Sequence, residues 1–200
     1  MLFRSTDNIR WTLRTTGFGI TAINAFTYDG SLYLAAGASG TLGVSTDTIS
    51  WSLRTTGFGT SAINTLTYGS IPTATYIAAG VSGTVMTSTD SISWTFRTSG
   101  FGTTLINSSG YYSGSYVLGG NVGAVRTSTD GIQWTFRTSG FGSSAVSTIS
   151  YASGLDRWII GGPLGNVAWS TLALTKDLGT GGLLRASTDN ISWTTDRKST

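Results

Sequence analysis

Ser45-Thr46-Asp47-Thr48-Ile49-Ser50-Trp51 decides the fold, because the chain writes this phrase five times. The pattern Ser-Thr-Asp-x-Ile-x-Trp starts at Ser5, Ser45, Ser88, Ser128 and Ser187, at intervals of 40, 43, 40 and 59 residues. Behind four copies comes Arg-Thr-(Thr/Ser)-Gly-Phe-Gly, centred on Phe18, Phe58, Phe101 and Phe141. An alternating segment follows, opened by Ile23-Asn24, Ile63-Asn64, Ile106-Asn107 and the variant Val146-Ser147. Each unit then has a short apolar run ending in glycine: Tyr33 to Gly37, Tyr76 to Gly80, Tyr116 to Gly120 and Trp158 to Gly162.

Each unit thus holds four short stretches rich in β-branched and aromatic residues, parted by Gly, Ser, Asn or Asp. We name them a, b, c and d, with the Ser-Thr-Asp box at the turn from c to d. No stretch carries sustained apolar spacing at three and four residues, so helices are not expected. About 40 residues with four strands is the period of a β-propeller blade. The expected fold is all-β, a propeller of four-stranded antiparallel blades in one domain over residues 1–200.

The box has a physical rationale. An Asp at a tight turn accepts hydrogen bonds from backbone N–H groups ahead of it, and the preceding Ser or Thr adds another. The Trp four residues on then covers apolar surface between neighbouring sheets. On this reading Asp7, Asp47, Asp90, Asp130 and Asp189 are structural, as are Trp11, Trp51, Trp94, Trp134 and Trp193.

The box resembles the Asp-box (BNR) repeat, Ser-x-Asp-x-Gly-x-x-Trp, of sialidase-like and other propellers. It departs from that pattern in two ways: Ile stands in place of the usual Gly in most copies, and the Asp-to-Trp interval is one residue shorter. With Arg-Thr-x-Gly-Phe-Gly and Ile-Asn attached, the unit is similar to repeats of bacteriophage virion and tail-associated proteins. The resemblance implies a propeller in a viral setting and leaves the ligand open.

Blade count is less determined. The chain holds four a–b pairs and five boxes. The N-terminal hairpin, residues 2–15, completes the last a–b pair; or residues 166–170 and the final box complete it; or an insertion at about 171–186 builds an irregular fifth blade. About five blades are expected, four regular and one irregular, with four as the alternative.

Composition narrows the function. Of 200 residues, 63 are Ser or Thr and 28 are Gly, yet 39% are hydrophobic and seven are Trp. Such a chain has the apolar content for a core. It has no Cys, no His and, since all nine acids are Asp, no Glu. The usual zinc, haem and iron–sulfur sites have no ligands, and no cofactor is expected. Glycoside hydrolysis needs paired carboxyls, and sialidase chemistry a Tyr activated by Glu. The acids outside the boxes, Asp29, Asp156, Asp177 and Asp196, stand beside turn residues or in the tail. An enzyme is not expected.

The net charge of +3 comes from arginines spread along the chain, four of them (Arg14, Arg54, Arg97, Arg137) at one repeated position. A nucleic-acid surface concentrates such charge on one face, so no nucleic-acid partner is expected. No apolar run approaches the ~20 residues of a spanning helix, and Met1 to Asp7 lacks an export signal's apolar region. No membrane insertion is expected; the expected place is a virion, after synthesis in the host cytoplasm.

Two functions from different classes follow. The first is a non-enzymatic virion component, on tail, fibre or capsid surface, joining subunits or attaching to a host. Its partners are other virion proteins, a second copy of itself, or a surface glycan. The alternative is a free lectin-like propeller. In either case the Gly-Phe-Gly face is the candidate ligand or partner face, with Phe18, Phe58, Phe101 and Phe141 beside Asn24, Asn64 and Asn107. The competing role for these residues is packing: each Phe plugs a gap between blades, and each Asn ties strand a to its neighbourhood.

Overall fold

The computed structural model describes residues 13–172 and 191–195 of the chain. They form sixteen strands in four antiparallel sheets of four, each a meander in chain order, and no α-helix occurs among them. Sheet 1 holds β1 (Ile23–Tyr28), β2 (Tyr33–Gly37), β3 (Leu42–Ser45) and β4 (Ser52–Arg54). Sheet 2 holds β5 (Ile63–Gly69), β6 (Thr75–Gly80), β7 (Val85–Ser88) and β8 (Thr95–Arg97). Sheet 3 holds β9 (Ile106–Tyr112), β10 (Ser115–Gly120), β11 (Ala124–Ser128) and β12 (Thr135–Thr138). Sheet 4 holds β13 (Thr148–Ala152), β14 (Arg157–Gly161), β15 (Val167–Leu172) and β16 (Ile191–Thr195).

The register repeats with the sequence. The aromatic that opens strand b lies opposite the box serine in sheets 1 to 3: Tyr33 with Ser45, Tyr76 with Ser88, Tyr116 with Ser128. Because side chains alternate along a strand, each sheet has two faces of different composition. One face of sheet 1 puts Leu34, Ala36, Leu42 and Val44 against Leu66, Tyr76, Ala78 and Met86 of sheet 2. Sheets 2 and 3 meet in the same way through Ile77, Ala79 and Val85 against Tyr116 and Leu118. Sheets 3 and 4 meet through Val117 and Val125 against Trp158, Ile160 and Ala168. The core is therefore three layers between sheets, and each fully buried large side chain contributes roughly 1.5–3 kcal/mol.

The innermost strands run β1, β5, β9, β13, each packed on the next. Small residues let them approach: a Cβ on Gly110 of β9 would meet the Ile149 side chain of β13 at 3.1 Å, and the Trp158 ring of β14 at 2.7 Å. The turns from a to b and from c to d lie at one end of every sheet, and the glycine-rich loops at the other.

Four sheets are described, and the final box strand completes the fourth. Leu172 of β15 pairs with Ile191 of β16, and Trp169 with Thr194. Residues 171 and 172, at the start of the expected insertion, belong to strand c. The rest of that stretch, 173–186, and most of the N-terminal hairpin at 2–15 lie outside the described residues.

Candidate functional site

The Gly-Phe-Gly loops are built before they can bind anything. Ser99 Oγ donates to the Gly83 carbonyl at 2.8 Å and accepts from Phe101 N–H at 3.2 Å. Ser139 does the same for Gly123 and Phe141, and Thr56 for Gly40 and Phe58. One hydroxyl thus fixes the d-to-a loop on the b-to-c loop and sets the direction in which the Phe enters. The glycines that follow sit at φ 58° (Gly59, Gly102, Gly142), where a side chain is strained. All four rings, Phe18, Phe58, Phe101 and Phe141, are buried, at 6%, 5%, 4% and 6% exposure. Phe58, Phe101 and Phe141 each belong to the layer between two sheets. All four rings are packed in the interior, and Phe101 alone of them also lines the trough beside Arg126.

The asparagines reach across the layers. Asn24 Nδ2 donates to the Ile63 carbonyl at 3.0 Å, and Asn64 Nδ2 to that of Ile106 at 2.8 Å. Asn107 Nδ2 donates to the Val146 carbonyl at 3.2 Å and to Asn121 Oδ1 at 3.0 Å. Asn24 and Asn64 tie one inner strand to the next, whereas Asn107 ties its strand to the b-to-c loop of its own sheet and to the residues just before β13. In sheet 4 the position is Ser147, too short to continue the series.

The boxes fold as their chemistry requires. Asp90 Oδ1 accepts from Ile92 and Ser93 N–H, both at 2.8 Å, and from Ser88 Oγ at 2.9 Å. Asp47 and Asp130 repeat this with Ile49 and Ser50, and with Ile132 and Gln133. Backbone N–H donors from Ser50 and Ile49, with Ser45 Oγ–H, hold Asp47 at a pKa of about 2; Ser93, Ile92 and Ser88 do the same for Asp90. Burial raises Asp130, but its N–H and hydroxyl donors outweigh that and leave it below the usual range. The residue after each Asp takes a left-handed conformation, Thr48 and Ser91 at φ 61° and Gly131 at φ 73°. Trp94 and Trp134 pack on the layer ahead of their own sheet, while Trp51 meets Phe26 edge-on at 6.2 Å. Asp7, Trp11 and Asp189 lie outside the described residues; Trp193 lies in β16.

The remaining described acids are also turn residues. Asp29 Oδ1 accepts from Ser31 and Leu32 N–H at 2.7 and 2.6 Å, and its other oxygen accepts from the Tyr76 hydroxyl of sheet 2. Burial opposes ionisation of Asp29, and the Tyr76 hydroxyl with the turn donors outweighs it, so the pKa falls. Asp156 accepts from the Tyr151 hydroxyl. No three His, Cys, Asp or Glu side chains converge on one point among the described residues. No helix among them is long and apolar enough to cross a membrane. The repeated arginines join the scaffold too: Arg97 and Arg137 Nε donate to Thr87 and Thr127 Oγ1 at 2.8 and 2.9 Å.

Arg126 was missed by the sequence reading. It donates to the Gly100 carbonyl at 2.7 Å and stands over the Phe136 ring at 4.6 Å. An open trough passes it, lined by Thr104, Val122, Phe136 and Thr138. The signal was available, since its register position holds Gly43, Met86 and Ala168 in the other sheets.

Neither family models nor curated proteins match the sequence. Solved structures do, and they establish the β-propeller fold. The computationally designed Ika4 protein matches with TM-score 0.63 and 16% identity, over 80% of this chain and 98% of its own. The computationally designed Ika8 protein matches with TM-score 0.58 and 17% identity, over 74% of this chain and 45% of its own. YCF48 from Cyanidioschyzon merolae matches with TM-score 0.56 and 14% identity, over 78% of this chain and 54% of its own. The chain spans about half the length of the last two.

Proposed function

We propose that this chain is a non-enzymatic structural component of a bacteriophage virion, a propeller on tail, fibre or capsid surface that joins subunits or presents an attachment face. The observation that supports the reading is the employment of its polar side chains. The box aspartates, Asp29, the interlayer asparagines and the loop hydroxyls all serve turns and sheet contacts. A chain whose scarce acids are spent on turns is suited to holding shape. The viral setting rests on the resemblance of its repeats to those of virion and tail-associated proteins. Against the lectin-like alternative stands the burial of Phe58, Phe101 and Phe141, the rings it would stack on sugars.

Quantitative protein analysis of purified particles tests the proposal. Presence at a fixed ratio to the major capsid protein is the expected result. Absence from particles that carry the rest of the tail and capsid proteins overturns it.

A further inference from the structure

The contact between neighbouring sheets has two unlike halves, and the described residues leave one of each unmatched. A leading face, carrying the first aromatic of strand b, packs on the trailing face of the sheet before it. Tyr76, Tyr116 and Trp158 on the leading faces of sheets 2 to 4 are 5%, 1% and 3% exposed. Sheet 1 has no sheet before it among the described residues. There Phe26 is 62% exposed, whereas Leu66 at the same register position of sheet 2 is 7% exposed. The trailing side behaves in parallel: Leu42, Val85 and Val125 are all 0% exposed, but the matching Val167 of sheet 4 is 45% exposed. No packing like that of β1 on β5 joins β13 back to β1 among the described residues.

We propose that the leading face of sheet 1 docks on the trailing face of sheet 4 of a second copy, so that two chains close one ring of eight sheets. The occupant is argued from continuity: the same interface already forms three times among the described residues, and a second copy carries a matching half built by the same repeat. The centres of both halves are apolar, Phe26, Tyr28 and Tyr33 against Ile159, Val167 and Trp169, with Arg157 exposed at the edge of the trailing one. An interface with unlike halves does not saturate in a face-to-face pair; it closes only as a ring. Ser147 replaces the asparagine on the donor side, so the contact between copies lacks the amide bond of the internal ones.

The internal contact supplies a test. Thr65 of sheet 2 and Ser109 of sheet 3 bring their hydroxyl oxygens to 2.6 Å across the layer. Thr148 and Phe26 hold those register positions on the two unmatched faces. The chain has no cysteine, so Phe26→Cys with Thr148→Cys introduces the only thiols. On mild oxidation the double variant is expected to form a covalent two-chain species, and Phe26→Cys alone is expected to stay single. Light scattering of the unmodified protein is expected to give twice 20.9 kDa, falling to the single-chain mass on Phe26→Asp. Phe26 is exposed in the single chain, so that substitution leaves the fold intact by circular dichroism.

A folded protein that is monomeric at every concentration overturns the proposal and gives these faces to another part of the chain or to a different protein. Cross-linking of Phe26→Cys alone also overturns it, in favour of a contact between two leading faces. Presence in virions does not bear on this test, so it stands or falls apart from the functional reading.

Discussion

Asn64 of β5 donates its side-chain amide to the carbonyl of Ile106 in β9, a bond that leaves one sheet and ends on the backbone of the next. Removing it strands a half-buried acceptor as well as losing a donor. Asn64→Leu is expected to destabilise the protein by about 1–2 kcal/mol, read as a lower urea midpoint with unchanged slope. Asn64→Ser, which copies the residue found at 147, is expected to recover little, because the hydroxyl does not span the gap.

Acid exposes the box turns. Asp47 and Asp90 titrate at about 2 in the folded chain against an ordinary 3.8. Their folded values are depressed, so their contribution is complete above about pH 4 and is lost as pH falls toward 2. Stability measured between pH 6 and 2 is expected to fall across that window. The double variant Asp47→Asn, Asp90→Asn is expected to start lower and show a flatter acid limb.

Two glycines separate steric from conformational demand. Gly80 lies in extended backbone, but a Cβ there would press into the Ala62 carbonyl oxygen. Gly142 has φ +58° with nothing within 4 Å of a Cβ. Gly80→Ala is expected to cost about 2–3 kcal/mol through overpacking, and Gly142→Ala about 1–2 kcal/mol through its left-handed backbone. Paired thermal melts of the two variants check the ranking.

Phe101 distinguishes plug from ligand platform. At 4% exposure in the layer between sheets 2 and 3, Phe101→Ala is expected to lose about 3–5 kcal/mol. Phe101→Leu is expected to restore most of it. If a glycan array gives any signal, the leucine variant is expected to leave it unchanged.

Much of this was legible from the chain, for a physical reason. A repeat must solve the same local problem each time, so Ser88-Thr89-Asp90 read as a turn held by carboxylate and hydroxyl folds as one. The phenylalanines were open to two readings because an aromatic between glycines looks the same as a plug or a platform. Only the neighbouring sheet, absent from any local window, decides between them. The asparagine bonds were hidden likewise, each spanning about one repeat, 39 residues for Asn24 and 42 for Asn64. Arg126 escaped because attention to what repeats passes over what does not.

The pairing of Leu172 with Ile191 carries a practical consequence. In sheets 1 to 3 six residues join strand c to strand d, whereas here the strands pair across eighteen. Tripling a loop costs only roughly 1 kcal/mol in closure entropy, which a four-stranded sheet with a packed face tolerates. The stretch of sequence between the two paired strands is therefore a permissive graft point. A foreign epitope or affinity tag placed between residues 172 and 191 is expected to leave the pairing of Leu172 with Ile191 in place.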